Sequence, residues 1–318
     1  MPISTPQVSF VIPVYNEESN LPMLVDRIVK IMDQSPIALE AVLVDDGSRD
    51  NSRTMLQQLA LTDPRFHIVL LSRNHGHQLA LTAGLSVARG TEGVFVLDGD
   101  LQDPPELLES FYAKFQEGFD VVYAVREKRK EVFYKRFAYF IFYRILKKIA
   151  NIEIPLDSGD FSFMSRRVVN VLNKMPEESR FIRGMRTWIG FKQIGIAYDR
   201  QERASGDSKY SFSKLVQLAL NGIYNFSEFP IKFVTSLGGF AIISSVLYLI
   251  SVIVKKMFFD QVIEGFTALL FVIILFGGIQ LMAIGVLGEY ILRIFFQSKS
   301  RPNFIIEKEI CGGKYLDE

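Results

Sequence analysis

Two apolar runs near the carboxyl end limit what this chain can fold into. Phe233–Val254 and Phe266–Gly288 contain no charged residue. Each is long enough to cross the roughly 30 Å hydrocarbon core of a bilayer. The segment between them, Lys255–Glu264, is too short to be a domain. The chain has 318 residues and is 49% hydrophobic, and the excess lies after residue 228, which points to a transmembrane hairpin rather than a large soluble core. Arg293, Lys299, Arg301 and Lys308 follow the second run, and basic residues also precede the first. Lys255 and Lys256 in the loop oppose this bias. The balance predicts a multi-pass protein of the cytoplasmic (inner) membrane, with the preceding domain and both termini in the cytoplasm. The start, MPISTPQVSF, lacks the basic and apolar regions of a signal peptide. Gly238-Gly239, Gly277-Gly278, Gly285 and Gly288 would permit close helix packing, including in a homo-oligomer, although glycine is also common in such helices.

The region before the hairpin has a different pattern. Short apolar runs at Val8–Pro13, Leu39–Asp45, Phe66–Ser72 and Gly93–Leu97 alternate with helical spacing at Leu21–Met32, Asn51–Thr62 and Gln78–Ala88. Strands alternating with helices predict an α/β fold with a mostly parallel, Rossmann-like sheet and flanking helices. In such sheets ligands bind beyond the carboxyl ends of the strands. Each strand here ends in a polar cluster: Tyr15-Asn16-Glu17, Asp45-Asp46-Gly47, Arg73-Asn74 and Asp98-Gly99-Asp100. Further on, Glu131–Asn151 combines dense aromatics with Lys135, Arg136, Arg144, Lys147 and Lys148. This suits an amphipathic helix lying in a membrane interface. The expected organisation is a cytoplasmic catalytic domain over 1–228, with the interfacial helix at 131–151. A hairpin follows over 229–293, with spans near 231–254 and 265–292, and then a cytoplasmic tail over 294–318.

Asp98-Gly99-Asp100 carries the chemistry. Aspartates two apart at a strand end point to one side. Two hard carboxylates at that spacing suit Mg²⁺ or Mn²⁺, with a ligand's phosphates completing the shell. Gln102 could add a carbonyl oxygen or hold a water. Asp45-Asp46 could accept hydrogen bonds from a base or ribose, or could simply form a turn before a helix. The lone Cys311 excludes an intrachain disulfide and a cysteine-based zinc site. His67, His75 and His77 are not spaced as a metal or catalytic set. Net charge is +1, and no nucleic-acid partner is expected.

Pro13-Val14-Tyr15-Asn16-Glu17, Asp45-Asp46-Gly47-Ser48-x-Asp50, Arg73-Asn74-x-Gly76 and Asp98-Gly99-Asp100-Leu101-Gln102-Asp103-Pro104-Pro105-Glu106 occur in this order. Together they resemble the family 2 glycosyltransferases of the GT-A fold. The last motif looks like the polyprenyl-phosphate branch, which includes dolichol-phosphate mannose synthases and bacterial bactoprenol glucosyltransferases. Asp157-Ser158-Gly159-Asp160-Phe161, Arg203-x-x-Gly206-x-Ser208-Lys209-Tyr210-Ser211 and the terminal hairpin also match that branch. One departure is Gly99, where alanine is usual and where either residue is expected to fit.

The resemblance implies metal-dependent, inverting transfer of a hexose from a nucleotide-sugar donor to polyprenyl (undecaprenyl) phosphate in the membrane. UDP-glucose is the default donor, with GDP-mannose or another UDP-sugar as alternatives. Pro13, Tyr15, Glu17, Asp45, Asp46, Arg73, Asn74, Asp98 and Arg203 would bind the nucleotide-sugar. Asp98, Asp100 and Gln102 would hold the metal. Arg126, Lys209 and Ser211 would contact the diphosphate or the lipid phosphate. Asp100 and Asp157 would be catalytic, with Asp157 acting as base or as an orienting group for the acceptor. A processive polysaccharide synthase of the same broad family would need more spans and a Q-x-x-R-W motif. Arg186-Thr187-Trp188 does not supply that motif.

Overall fold

The computed structural model describes residues 5–126, 158–178, 180–199, 229–259 and 265–316. Its first part alternates strands and helices: β1 Val8–Val14, α1 Leu21–Gln34, β2 Leu39–Asp45, α2 Ser52–Thr62, β3 Phe66–Leu71, α3 His77–Val87 and β4 Gly93–Val96. Then come α4 Leu108–Gln116, β5 Val121–Arg126, β6 Ser158–Ser165, α5 Arg166–Lys174, α6 Ile182–Trp188 and β7 Gln193–Tyr198. Strands β1 to β4 are apolar without alternation because both faces of the sheet are covered. Every residue of β1 is buried, and so is every residue of β3 and β4. Helix α1 follows the helical period instead, burying Leu21, Leu24, Ile28 and Met32 on one side. Phe95 of β4 packs against Phe10, Phe111 and Phe161 at ring separations of 5.7, 5.3 and 5.2 Å, joining β1, α4 and β6 in one core.

The strands form one sheet in the order β7-β5-β6-β4-β1-β2-β3-β8-β9, where β8 is Ile306–Cys311 and β9 is Lys314–Leu316. The centre, β4-β1-β2-β3, is parallel as expected. The flanks make the sheet mixed. Strand β6 runs antiparallel to both β4 and β5, and β8 runs antiparallel to β3.

Within residues 294–318, expected as a cytoplasmic tail, β8 and β9 join the sheet. Ile310 pairs with Ile68 and is fully buried, and the Ser72 amide donates to the Ile305 carbonyl at 3.0 Å. His67 Nε2 lies 2.7 Å from Glu309 Oε1, and Arg53 pairs with Glu307 at 2.6 Å. The acidic residues that make Ile306–Cys311 look like a solvated tail are thus paired with β3 and α2. Residues 302–316 belong to the same compact unit as β1 to β7.

The second unit contains α7, Phe229–Phe259, and α8, Phe266–Ser298. With 31 and 33 residues they are about 46 and 50 Å long, more than a bilayer core requires. Windows at Pro230–Lys255 and Leu275–Ser298 have mean hydropathies of 2.3 and 1.6. Glu289, costly if it faced lipid alone, pairs with Arg293 one turn later at 2.9 Å. Among the described residues, a Cβ added at any of the six span glycines would meet nothing within 4 Å.

Two substitutions test this frame. Ile310→Ala is expected to destabilise the sheet unit by about 2–4 kcal/mol, read as a lower melting temperature of the purified protein. An unchanged melt would mean β8 is not docked. Gly47 has φ +68°, and a Cβ there would lie 2.6 Å from the Arg73 carbonyl carbon and the Asn74 nitrogen. Gly47→Ala is therefore expected to combine left-handed strain of about 1–2 kcal/mol with overpacking of about 1–3 kcal/mol. A wild-type melt for that variant would contradict the close approach of the two loops.

Candidate active site

The loops at the carboxyl ends of β1, β2 and β3 are stitched together by side chains bonding to backbone. The Asn16 amide donates to Ser48 Oγ at 3.0 Å, and the Asn16 side chain accepts from the Arg49 amide at 2.8 Å. The Glu17 and Glu18 amides donate to Ser52 Oγ and Asp50 Oδ2 at 3.0 and 3.2 Å. These bonds tie the loop after β1 to the loop after β2. The loop after β3 is held by Asp46, whose two oxygens accept the His75 and Gly76 amides at 2.7 and 3.0 Å. Asn16 takes φ 54° and Gly47 takes φ 68° to make these turns.

Asp45 and Asp46 therefore have structural work. Asp45 is fully buried and accepts the Ser48 amide at 3.1 Å, while its Oδ2 has no hydrogen-bond partner among the described residues. Burial pushes both carboxyls above their ordinary pKa, against the opposing pull of the hydrogen bonds they accept. Pro13 is buried inside β1, opposite Val44 of β2. Tyr15 and Glu17 are partly exposed just beyond it, and Glu17 accepts from the Asn20 side chain at 2.6 Å. Arg73 and Asn74 are exposed on the rim.

Strand β4 ends at Val96, so Asp98 and Asp100 lie in the following turn rather than on the strand. The alternation nevertheless persists: Leu97, Gly99 and Leu101 are buried while Asp98 and Asp100 are partly exposed. The two carboxylates share the solvent side. Asp100 Oδ1 accepts the Gln102 amide at 3.1 Å, and Leu101 takes φ 61° to close the turn. The rest of the motif fixes the turn from behind. Asp103 accepts from the Tyr198 hydroxyl at 2.5 Å, and Glu106 pairs with Arg27 of α1 at 2.5 Å. An alanine at position 99 is tighter than expected, because its Cβ would approach the Pro13 carbonyl oxygen to 3.1 Å.

No group of three or more His, Cys, Asp and Glu side chains surrounds a metal position among the described residues. The Asp98–Asp100 pair fits a hard divalent ion whose shell is completed by substrate oxygens, since it presents two partly exposed carboxylates and no soft ligand.

Beside this pair lies a cluster that the sequence did not single out. His77 Nε2 is 3.5 Å from Asp98 Oδ1 and 3.5 Å from Asp160 Oδ2. Gln78 donates to Asp160 Oδ2 at 2.8 Å and accepts the Ile182 amide at 2.9 Å, linking α3, β6 and α6. Arg183 Nε is 3.8 Å from Asp160 Oδ1, and Arg186 is buried close by, over the Tyr123 ring. Burial opposes charge on His77, but the Asp98 and Asp160 carboxylates outweigh it and push its pKa up to about 9. Burial likewise opposes charge on Asp160, and Arg183, His77 and Arg186 together hold it well below the usual carboxylate range. The legible signals were the spacing of Arg183 and Arg186, which puts them on one helical face, and the second aspartate of Asp157-Ser158-Gly159-Asp160.

Asp157, Arg203, Lys209, Ser211 and the 131–151 helix lie outside the described residues, and Arg126 is described only as the last residue of β5. The strand-end residues expected to bind the nucleotide-sugar and the metal all lie at one edge of the sheet.

Residues 9–172 match Glycosyl transferase family 2. An uncharacterized glycosyltransferase, YkcC, of Bacillus subtilis (strain 168) is 43% identical over 303 residues, which is 95% of this chain and 94% of that protein. A bactoprenol glucosyl transferase of Shigella phage SfV is 38% identical over 95% of this chain and 99% of its own length. A prophage bactoprenol glucosyl transferase homolog of Escherichia coli (strain K12) is 37% identical over 95% and 99%. With a GT-A-like sheet and this extent of identity, the chain is a glycosyltransferase and belongs to glycosyl transferase family 2.

Proposed function

We propose that this enzyme transfers glucose from UDP-glucose to the phosphate of undecaprenyl phosphate, inverting the anomeric centre, with Mg²⁺ or Mn²⁺ bound. The observation that carries this reading is one chain holding both a strand-end carboxylate pair, Asp98 and Asp100, and two helices apolar enough to cross a membrane. The named activity of the bactoprenol glucosyl transferases, which match along nearly their whole length, supports the acceptor and the sugar.

The acceptor oxygen belongs to a phosphomonoester whose second pKa is near ~6, so it is largely ionised at neutral pH. Such a nucleophile needs orientation and a stabilised leaving group more than a general base. Asp98, Asp100 and Gln102 would hold the divalent ion, which supplies positive charge to the departing nucleoside diphosphate. Tyr15, Glu17 and the rim residues Arg73 and Asn74 are partly or fully exposed and would receive the nucleoside, with Pro13, Asp45 and Asp46 shaping the floor. Arg203, Lys209 and Arg126 would neutralise phosphates, and the Ser211 hydroxyl would donate a hydrogen bond to one. Asp157 would orient the acceptor or act as base. Direct displacement from an α-linked donor gives a β-linked product.

The membrane arrangement follows the same logic. The chain leaves the sheet unit after β7, passes through α7 and α8, and returns to the same unit as β8. This supports two crossings, with the catalytic unit and both termini on the cytoplasmic side of the inner membrane.

The test is metal dependence of lipid glycosylation. Chelation with EDTA is expected to abolish sugar-lipid formation, and added Mg²⁺ or Mn²⁺ to restore it. Asp98→Asn and Asp100→Asn are each expected to lower kcat at least about 100-fold, close to 3 kcal/mol of transition-state stabilisation. Full activity in EDTA, or in both variants, would contradict the assignment.

A further inference from the structure

Helix α6 carries two arginines into the interior whose guanidinium groups are incompletely paired among the described residues. Arg186 is 1% exposed. Among the described residues its guanidinium makes one hydrogen bond, a long one of 3.5 Å from Nη2 to the Gly159 carbonyl, and its Nε and Nη1 make none. Arg183 stands one turn earlier on the same face, with its side chain 23% exposed. Its Nε is buried and unpartnered, 3.8 Å from an Asp160 oxygen that also lacks a hydrogen bond. Arg183 and Asp160 are close enough to attract and too far apart for a hydrogen bond. A buried charge left without a full partner is unfavourable. Two arginines facing one carboxylate form a site that a second anion would complete.

The surroundings hold this arrangement rigidly and place it beside the reaction centre. Gln78 clamps both Asp160 and the amide of Ile182, the first residue of α6. His77 then bridges Asp160 to Asp98, 3.5 Å on each side. From Arg183 to the proposed metal carboxylate there are thus two intervening side chains. Guanidinium offers a planar fork of donors suited to phosphoryl oxygens.

We propose that Arg183 binds a phosphoryl group of a substrate on the β6 side of the Asp98–Asp100 pair, with Asp160 orienting it and Arg186 adding positive charge behind it. This rests on the polyprenyl-phosphate reading above, in which two phosphoryl groups meet at the site: the acceptor monoester and the donor diphosphate. Both have the same chemistry, and kinetics tell them apart.

The experiment uses the purified full-length protein and its Arg183→Gln and Arg183→Lys variants. It measures KM for undecaprenyl phosphate in detergent micelles, KM for UDP-glucose, and UDP affinity by calorimetry. The expected result for Arg183→Gln is a tenfold or greater rise in one KM, with the other unchanged within twofold. Lysine, which keeps the charge and loses the fork, recovers part of the loss. A rise confined to undecaprenyl phosphate assigns Arg183 to the acceptor, and a rise in UDP-glucose KM with weaker UDP binding assigns it to the donor. If both KM values stay within twofold of wild type, or if both variants lose kcat and melting temperature together with no change in either KM, the proposal is overturned. A wild-type enzyme that binds UDP but makes no sugar-lipid would instead overturn the acceptor reading on which the proposal stands.

Discussion

Asp46 accepts two backbone amides from the loop after β3, and the geometry of the whole strand-end edge depends on that bond pair. The ladder between β2 and β3 runs only as far as Asp45 and Leu70, and the loops beyond it are held by this pair of bonds. A carboxylate buried at that position is expensive, and burial does raise its pKa. The two amides offset that expense because they are fixed in direction by the turn at Gly76, where φ is 95°. The same device recurs around the edge. Ser48, Asp50 and Ser52 receive the amides of Asn16, Glu18 and Glu17. Loops whose backbone is satisfied by neighbouring side chains can stay ordered at a surface where a ligand must enter.

A second constraint acts across the sheet. Asp160, on the antiparallel strand β6, meets His77 from the start of α3 and Arg183 from α6. The carboxylate pair at the end of β4 is therefore linked to elements that follow it in the chain by more than fifty positions. The positive charge of this cluster lies next to the place where a nucleoside diphosphate would depart. In a low-dielectric setting fixed charges need no reorganisation during reaction. The enzyme would then combine a bound ion with permanent cations.

Much of this was legible in the sequence, and the reasons differ by element. Strands β1 to β4 could be read because both faces are buried, which leaves continuous apolar runs such as Val8–Val14 with polar punctuation at the ends. The long helices could be read from the absence of charge over spans longer than a soluble core helix needs. Strand β8 could not, because Glu307, Lys308 and Glu309 give it a solvated appearance. Its partners, Arg53 and His67, are more than two hundred residues earlier, and single-sequence patterning carries no information about them. The shared side of Asp98 and Asp100 was anticipated, although it arises from a turn and not from strand pleating. The cluster around Asp160 was missed for the same reason as β8. Arg183 and Arg186 share a helical face and Asp160 lies in a recognisable motif, but their chemistry with His77 and Gln78 appears only when α3 and α6 converge on β6.

The most direct measurement of the central claim is product formation by the purified full-length protein. It would be supplied with Mg²⁺ or Mn²⁺, undecaprenyl phosphate and a panel of labelled nucleotide-sugars, followed by butanol extraction. The account predicts butanol-soluble label from UDP-glucose, released by mild acid as glucose and absent when the lipid phosphate is omitted. Label that stays in the aqueous phase with every donor would contradict it.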